Sequence, residues 1–386
     1  MSRRIAVVTV GRSDYGLYQP LLRALWRDPG CKLCLIVSGA HLAPAYGNTD
    51  SEIEEDGFPI VARVPMLLAG DHPEDVSISV GVGVINFTSA YRQICPDILV
   101  VLGDRFEMLA AVVAALPLRI PVAHLYGGEL TFGAMDDAIR HAITKLSHLH
   151  FTSTELYARR LRQMGEEPDR IFVTGATVID TILHTAPIPQ AELEAELGAK
   201  LDSALLVTFH PVTLRHEDNA SGQAAILLEA LSRFECELIF TYPNADAGNR
   251  GIISQIAAFA ARHPRAHVYA NLGHRRYLSL QRYVAVMVGN SSSGIIEAAS
   301  FCLPVVNVGE RQAGRIRTPN VIDVPVQIDS IVEAIGRALD PEFRKSLAGM
   351  RNPYGEGDAS QKIVELLKTF PLDHTTLVKR FRDVDN

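Results

Sequence analysis

The sequence has no excess of basic residues and no long hydrophobic run. Its 37 Lys and Arg residues against 44 Asp and Glu give a formal net charge of -7. This balance argues against a general nucleic-acid binder, because neutralising phosphates needs a basic face. The first apolar run, residues 5–10, is too short for a signal-peptide core or a membrane span. We therefore expect no nucleic-acid partner and no membrane association.

Cysteine is also scarce. The five cysteines form an odd and scattered set: Cys31, Cys34, Cys95, Cys236 and Cys302. Such a set fits reduced thiols better than a disulfide framework, so it predicts a cytoplasmic protein. The first two have the spacing of a redox motif, but no second pair completes a metal site, and we expect structural thiols.

The length and composition indicate a globular protein with more than one domain. A chain of 386 residues exceeds what one hydrophobic core usually supports. With 47% hydrophobic, 21% charged and 7% aromatic residues, the chain is neither disordered nor fibrous. Two domains of similar size fit these values.

Short apolar runs rich in β-branched residues alternate with helical patterns. This alternation predicts parallel sheets with crossover helices, arranged as two α/β domains that face a cleft. A polar, Glu-rich stretch at 186–197 separates two series of such runs. The predicted strands are 5–10, 33–37, 98–102, 122–125, 205–209, 238–241, 267–269, 284–288 and 305–308. The predicted domains are 1–185 and 186–365, and we expect residues 366–386 to pack back on the N-terminal domain.

Polar residues follow the first predicted strand, at the edge where open parallel sheets place ligands. The stretch 11–16 contains two glycines for a tight turn, with Arg12 as a forked cation between them. The N–H groups of the following helix suit an anionic ligand, although a strand-to-helix turn needs glycine in any case. Ligand contact and plain turn chemistry both stay open.

Carboxylates follow the next strand ends. Asp104 comes just after the run 98–102, Glu129 follows a glycine pair, and Asp136 with Asp137 begins a helical pattern. Each acid alone can be explained as a helix cap or as a complement to the helix dipole. Acids on neighbouring strand ends indicate a site, because proximity pushes their pKa values apart into a base and an acid.

A phosphate-binding loop is predicted in the C-terminal half. The stretch 289–294 reads Gly-Asn-Ser-Ser-Ser-Gly and lies between a predicted strand and a predicted helix at 294–301. Its backbone N–H groups and hydroxyls suit a diphosphate at the helix N-terminus. The residues that would contact it are Ser291, Ser292, Ser293 and Gly294.

Other polar residues accompany this loop. His210 follows a strand and could contact a phosphate or a sugar hydroxyl, although a lone histidine is usually structural. Glu297 would either cap the helix or bind ribose hydroxyls. Arg311 and Arg315 follow the next strand and could neutralise a diphosphate.

With these stretches in this order, the chain resembles the hydrolysing UDP-N-acetylglucosamine 2-epimerases, particularly the bacterial branch that feeds sialic-acid and legionaminic-acid synthesis. The matching stretches are 11–16, 101–105, 124–129, 140–141, 210–213 and 289–297. The family is similar to the GT-B fold of two Rossmann-like domains, with the nucleotide mainly on the C-terminal domain. The resemblance also implies that the final helix, here 360–370, crosses back to the N-terminal domain.

The resemblance implies a role for each matching residue. The acid/base candidates are Asp104, Glu129, Asp136 and Asp137, and the candidates for stabilising the leaving diphosphate are His210 and Arg12. Further substrate or nucleotide contacts are implied for Tyr15, Arg105, His141, Ser291, Ser292, Ser293, Gly294, Glu297, Arg311 and Arg315. The family commonly has Asp-Glu or Glu-Glu where this chain has Asp136-Asp137, so which of the two acts is open.

The resemblance implies a two-stage reaction on a UDP- or GDP-linked 2-acetamido sugar. C2 loses its proton as the nucleoside diphosphate leaves C1, which gives a 2-acetamidoglycal. Water then adds at C1, and C2 is reprotonated from the opposite face to release the free 2-epimer. The resemblance implies no metal and no redox cofactor, and it implies a homo-oligomer, a dimer or a tetramer.

Three other functions remain alternatives. A non-hydrolysing epimerase would return an intact nucleotide sugar with inverted C2. A GT-B glycosyltransferase would need an acceptor and would keep the C2 hydrogen. A non-catalytic sensor would bind the nucleotide sugar without turnover, but it has no need for an acidic rim.

Overall fold

The computed structural model describes residues 2–44, 47–70, 72–132, 135–211, 220–243, 249–270 and 272–383. The chain forms two compact units. Unit 1 comprises Met1–Glu129, Asp136–Leu183 and Tyr354–Asn386, and unit 2 comprises Leu130–Met135 and His184–Pro353. The domain limits predicted above stay predictions, because compactness alone does not show that a segment folds independently.

Unit 1 contains a 7-stranded parallel sheet in the order β3-β2-β1-β4-β5-β6-β7. The order reverses between β1 and β4, which pair directly through Ile5–Ile98, Ala6–Leu99 and Val7–Val100. Ligands of open parallel sheets bind beyond the carboxyl ends of the strands at such a reversal. The strands are β1 Arg3–Thr9, β2 Cys31–Ser38, β3 Ile60–Val64, β4 Ile98–Leu102, β5 Val122–Leu125, β6 Leu149–Thr152 and β7 Ile171–Val173.

Helices cover the sheet of unit 1. The central strands are buried because helices pack on their apolar residues, as fully buried Val7 and Val100 show. The C-terminal helix also belongs to this unit, since the guanidinium of Arg3 donates to the carbonyls of Leu367 and Phe370 at its end. The helices are α1 Arg12–Arg27, α2 Asp50–Glu55, α3 Pro73–Ile94, α4 Phe106–Ala115, α5 Met135–Leu146, α6 Glu155–Gln163, α7 Thr177–His184 and, after unit 2, α15 Ala359–Thr369.

Unit 2 repeats this topology with a 6-stranded parallel sheet in the order β10-β9-β8-β11-β12-β13. Its core includes the buried residues Val207 and Val288 of the adjacent strands β8 and β11. The strands are β8 Leu205–Thr208, β9 Leu238–Thr241, β10 Ala266–Tyr269, β11 Val286–Gly289, β12 Val305–Val308 and β13 Val321–Val324. The helices are α8 Gln190–Leu197, α9 Ala220–Leu231, α10 Asn249–Ala260, α11 His274–Tyr283, α12 Ser293–Ile296, α13 Ile328–Leu339 and α14 Pro341–Ser346.

The predicted α/β class is confirmed, while four of these strands were not predicted. The edge strand β3 contains exposed Val61 and charged Arg63, so its apolar pattern is weak. The other three, β6, β7 and β13, are four, three and four residues long, too short for a clear periodicity. In the part of the chain that the structure describes, no helix is long and apolar enough to cross a membrane.

Candidate active site

Asp104 lies at the carboxyl end of β4, beside the point where the strand order of unit 1 reverses. Its carboxylate forms an ion pair with Arg140 of α5, whose guanidinium also donates to the carbonyl of Tyr126 at 2.9 Å. Arg140 is buried, so its charge is held against Asp104. Asp104 does not cap α4, because Arg105 occupies the N-cap position and no side chain caps that helix.

Glu129 is buried in the loop that follows β5, which is the third strand from the β7 edge of the sheet. It accepts a hydrogen bond from the hydroxyl of Ser153 at 3.1 Å. The preceding Gly128 has a φ of +79°, and a Cβ there would lie 2.5 Å from the carbonyl of Tyr157. Only glycine fits this close approach, and its carbonyl accepts from Arg160 at 3.0 Å.

The first turn of α5 contains Asp136 and Asp137. Asp137 lies 3.6 Å from His141 one turn later, and burial lowers the pKa of His141 despite the opposing charge of Asp137. Both acids also complement the positive end of the helix dipole, so their position alone does not separate catalysis from helix stabilisation.

The β1–α1 turn presents Arg12 at the start of α1, where it pairs with exposed Glu52 at 2.7 Å. Tyr15 is buried and its hydroxyl donates to Asp56 at 2.6 Å. Sequence reasoning did not single out Asp14, which accepts hydrogen bonds from the Thr9 hydroxyl at 2.7 Å and from the backbone of Val10. Burial raises the pKa of Asp14 to about 6.

Arg105 follows Asp104 directly. Its guanidinium lies 3.3 Å from the fully buried carboxylate of Glu107. A contact between Arg105 and an anionic ligand stays a prediction.

In unit 2 the carboxyl ends of β8 and β11 are joined by Asn290. Its side chain accepts from the backbone N–H of His210 at 2.7 Å and donates to the carbonyl of His210 at 2.9 Å. Gln312 and Arg311 donate to the carbonyl of Asn290 at 2.8 and 3.3 Å. Burial and the charge of Arg311 lower the pKa of His210 well below its usual value, so its imidazole is neutral. Residues 212 and 213 of the motif 210–213 lie outside the described residues.

The serine loop forms a chain of hydroxyl groups. Ser293 lies 2.7 Å from the hydroxyl of Tyr277 and 2.9 Å from that of Ser291. The predicted helix over 294–301 is instead the short helix α12, followed by a 3-10 turn at Ala298–Phe301, with Ser292 as N-cap and Gly294 inside α12. The loop therefore has a shorter helix behind it than the sequence pattern predicted.

Glu297 follows α12 as its C-cap, whereas the N-cap of this helix is Ser292; ribose binding by Glu297, the other alternative, stays a prediction. Its carboxyl accepts from Gln281 at 2.6 Å, and burial raises its pKa to about 7. Arg315 donates to the carbonyl of Leu130 at 3.1 Å, within unit 2. Across the described ranges, no group of three or more His, Cys, Asp and Glu side chains is placed to hold a metal ion.

Known proteins are similar to this chain in sequence and in fold. The family model for UDP-N-acetylglucosamine 2-epimerase matches residues 23–368. A GDP/UDP-N,N'-diacetylbacillosamine 2-epimerase (hydrolyzing) of Campylobacter jejuni is 39% identical over 99% of both chains. A UDP-N,N'-diacetylbacillosamine 2-epimerase (hydrolyzing) of Legionella pneumophila is 39% identical over 98% of this chain and 99% of the relative.

A solved structure of UDP-GlcNAc 2-epimerase from Neisseria meningitidis bound to UDP-GlcNAc has the same fold. Its TM-score is 0.80 at 19% identity, over 94% of this chain and 99% of that one. The two Rossmann-like units thus belong to a nucleotide-sugar epimerase fold of GT-B type. The chain belongs to the UDP-N-acetylglucosamine 2-epimerase family.

Proposed function

We propose that the protein is a hydrolysing 2-epimerase acting on a UDP- or GDP-linked 2,4-diacetamido-trideoxy sugar, N,N'-diacetylbacillosamine. The observation that carries the proposal is the 39% identity with two hydrolysing enzymes of that name over nearly the whole chain. The products are the free 2-epimer and the nucleoside diphosphate.

The chemistry needs a base and an acid at the reacting carbons. In the first stage a carboxylate removes the C2 proton, and the C1–O bond breaks with its electron pair on the diphosphate. In the second stage water adds at C1 of the glycal, and a carboxylic acid returns a proton to C2 on the opposite face. Protonation and deprotonation by positioned side chains each contribute roughly 10²–10⁴-fold to such rates.

Asp104 and Glu129 form the leading acid/base pair of this proposal. The ion pair with Arg140 fixes the position of the Asp104 carboxylate, as a catalytic base requires. Glu129 is buried and accepts a hydrogen bond from the hydroxyl of Ser153, which fixes the orientation of its carboxyl group. Of Asp136 and Asp137, we expect that only one takes part.

Unit 2 supplies the proposed contacts to the nucleotide. The neutral imidazole of His210 and the guanidinium of Arg311 lie on one network through Asn290, where they would stabilise the charge of the departing diphosphate. Ser291 and Ser293 would donate to phosphate oxygens. In unit 1, Arg12 would add a second cation.

A second substrate, UDP-N-acetylglucosamine, is favoured by the family match and by the ligand of the Neisseria meningitidis structure. The two substrates differ at C4 and C6 of the sugar. The experiment is therefore a panel of both nucleotide sugars, with UDP and GDP forms of the first.

Incubation without any acceptor should release the nucleoside diphosphate and a free sugar. A coupled assay measures the nucleoside diphosphate, and chromatography identifies the sugar. An intact nucleotide sugar with inverted C2 would instead indicate a non-hydrolysing epimerase. Turnover that starts only when an acceptor is added would indicate a glycosyltransferase. Either result contradicts the proposal.

The family branch leads to further expectations. We propose that the free sugar serves synthesis of nonulosonates such as sialic or legionaminic acid. A cytoplasmic location and a homo-oligomeric state also remain proposals.

A further inference from the structure

Residues 371–383 follow helix α15 and lie against unit 1. The guanidinium of Arg170 donates to their backbone carbonyls at Thr376, Thr375 and Val378, at 2.7, 3.1 and 3.1 Å. Near the other end, the backbone N–H of Arg382 donates to the carbonyl of Gly165 at 3.3 Å. We call residues 371–383 the C-terminal segment.

Lys379 of this segment contacts the end of helix α5. Its ammonium donates to the carbonyls of Thr144 and Lys145 at 3.2 and 2.8 Å, and both residues lie in the last turn of α5. A cation at this position also complements the negative end of the helix dipole. The C-terminal segment thus fixes one end of α5.

A buried carboxylate holds Lys379 in place. Glu166 lies 2.7 Å from Lys379, 2.7 Å from Lys145 and 2.9 Å from the ring of His150. Glu166 is 1% exposed, so its charge depends on these partners. Phe381 covers Lys145, with the ammonium 5.2 Å from the ring centroid.

Helix α5 connects the contacts of Lys379 and Glu166 with the candidate acids. Thr144, whose carbonyl accepts from Lys379, also contacts His124 at 3.2 Å through its hydroxyl. His124 donates in turn to the carbonyl of Gly103, the residue before Asp104, at 2.8 Å. One turn earlier on α5, Arg140 forms the ion pair with Asp104.

We propose that Lys379 is a positioning residue for the reaction, which acts through α5 on the carboxylates at its other end and on Asp104. This inference rests on the proposed function, since it needs those carboxylates to transfer protons. A rigid helix transmits the position of its last turn to its first, about 15 Å away at 1.5 Å per residue. Reacting groups misplaced by about 1 Å can lose about a hundredfold in rate.

The test compares Lys379→Met with Lys379→Arg and with the matched control Lys200→Met. Lys200 is an exposed lysine of unit 2 paired with Glu194. We expect Lys379→Met to lower kcat about tenfold with KM within about twofold, and the arginine variant to restore most of kcat. Full kcat in folded Lys379→Met, or an equal loss in the control, would overturn the proposal.

A double variant separates positioning from general destabilisation. In the Asp104→Asn background, the further loss caused by Lys379→Met should be smaller than the tenfold loss it causes alone, because one of the groups that it positions is gone. A full tenfold further loss would show a role independent of Asp104 and would overturn the proposal. If Asp104→Asn alone keeps full activity, the proposed acid/base site is wrong, whatever Lys379 does.

Arg170→Gln gives a second route if Lys379→Met does not fold. This variant removes the three hydrogen bonds from Arg170 to the C-terminal segment and leaves the Lys379 side chain itself unchanged. The expected result is again a fall in kcat, about threefold, with UDP affinity unchanged in calorimetry. An unchanged kcat in folded Arg170→Gln would contradict the proposal.

Discussion

The two units share one strand order, but they hold their candidate site residues with different chemistry. In unit 1 charged groups meet: Arg140 pairs with Asp104, and Asp137 lies beside His141. In unit 2 the carboxyl ends of the strands hold mostly neutral groups, with Arg311 as the charged one. The amide of Asn290 bonds to the backbone of His210 and so joins β8 to β11. One strand order thus supports charged clusters in one unit and a mainly amide and hydroxyl network in the other, which is why we propose proton transfer for unit 1 and nucleotide binding for unit 2.

The largest expected effect is in unit 1. Asp104→Asn and Glu129→Gln should each lower kcat by about 10²–10⁴-fold with little change in UDP affinity, because they remove groups that transfer protons. Initial rates of nucleoside diphosphate release measure the effect.

Two exposed acids of the same unit serve as controls. Asp97 pairs with Arg4 and Glu155 pairs with Arg162, both on the surface. Asp97→Asn and Glu155→Gln should keep normal kcat. Equal losses at all four positions would remove the distinction between the two units.

The next effect is in unit 2. Ser291→Ala and Ser293→Ala should each weaken UDP binding by about tenfold, because a hydrogen bond to a charged group contributes about 1.5–3 kcal/mol. Titration calorimetry with UDP measures it. Ser232→Ala, which removes an exposed hydroxyl bonded to Glu229, is the control. Unchanged affinity in both loop variants would show that the loop does not hold the phosphates.

A buried carboxyl in unit 2 makes stability depend on pH. The pKa of Glu297 is raised from its usual 4.5 to about 7 by burial. Between these values the folded protein keeps a proton that the unfolded chain has lost, so stability falls as pH rises from about 4.5 to about 7. The total loss is about 2–3 kcal/mol.

Glu297→Gln cannot titrate and keeps a group that can bond to Gln281. Relative to this variant, the native protein should lose Tm as the pH rises from about 5 to about 7 in scanning calorimetry. Parallel Tm curves for the two proteins would show that Glu297 titrates normally.

The smallest expected effect concerns Arg12 and its exposed partner Glu52. Glu52→Gln should change the free energy of unfolding by less than about 1 kcal/mol, because exposed ion pairs contribute little. KM should also stay the same, whereas Arg12→Gln should raise KM about tenfold if its guanidinium binds the ligand. A rise in KM in Glu52→Gln would show that the ion pair itself, and not the arginine alone, supports binding.

The sequence predicted the fold class and the family, both of which are confirmed. Apolar strands such as β4 and glycine turns are local signals, so pattern alone identifies them. The ion pair between Arg140 and Asp104 joins residues 36 positions apart and depends on the packing of α5, which no local pattern specifies. Ser153, which donates to Glu129, follows β6, and this strand is too short to be predicted from the sequence pattern.

The contacts of Lys379 were even less accessible to sequence reasoning. The end of the chain is polar, and a charged residue there reads as a solvated side chain. Its contacts with Glu166 and with α5 join residues that are more than 200 positions apart in the sequence. The assignment of roles to the predicted site residues stays a prediction until the variants are measured.

Proton NMR of the reaction in deuterated water is the most direct test of the elimination route. Nucleoside diphosphate and a free 2-epimeric sugar should appear together, with one solvent deuterium at C2 of the product. A product that keeps its original C2 hydrogen would contradict the acid/base role of the unit 1 carboxylates and the elimination route with it.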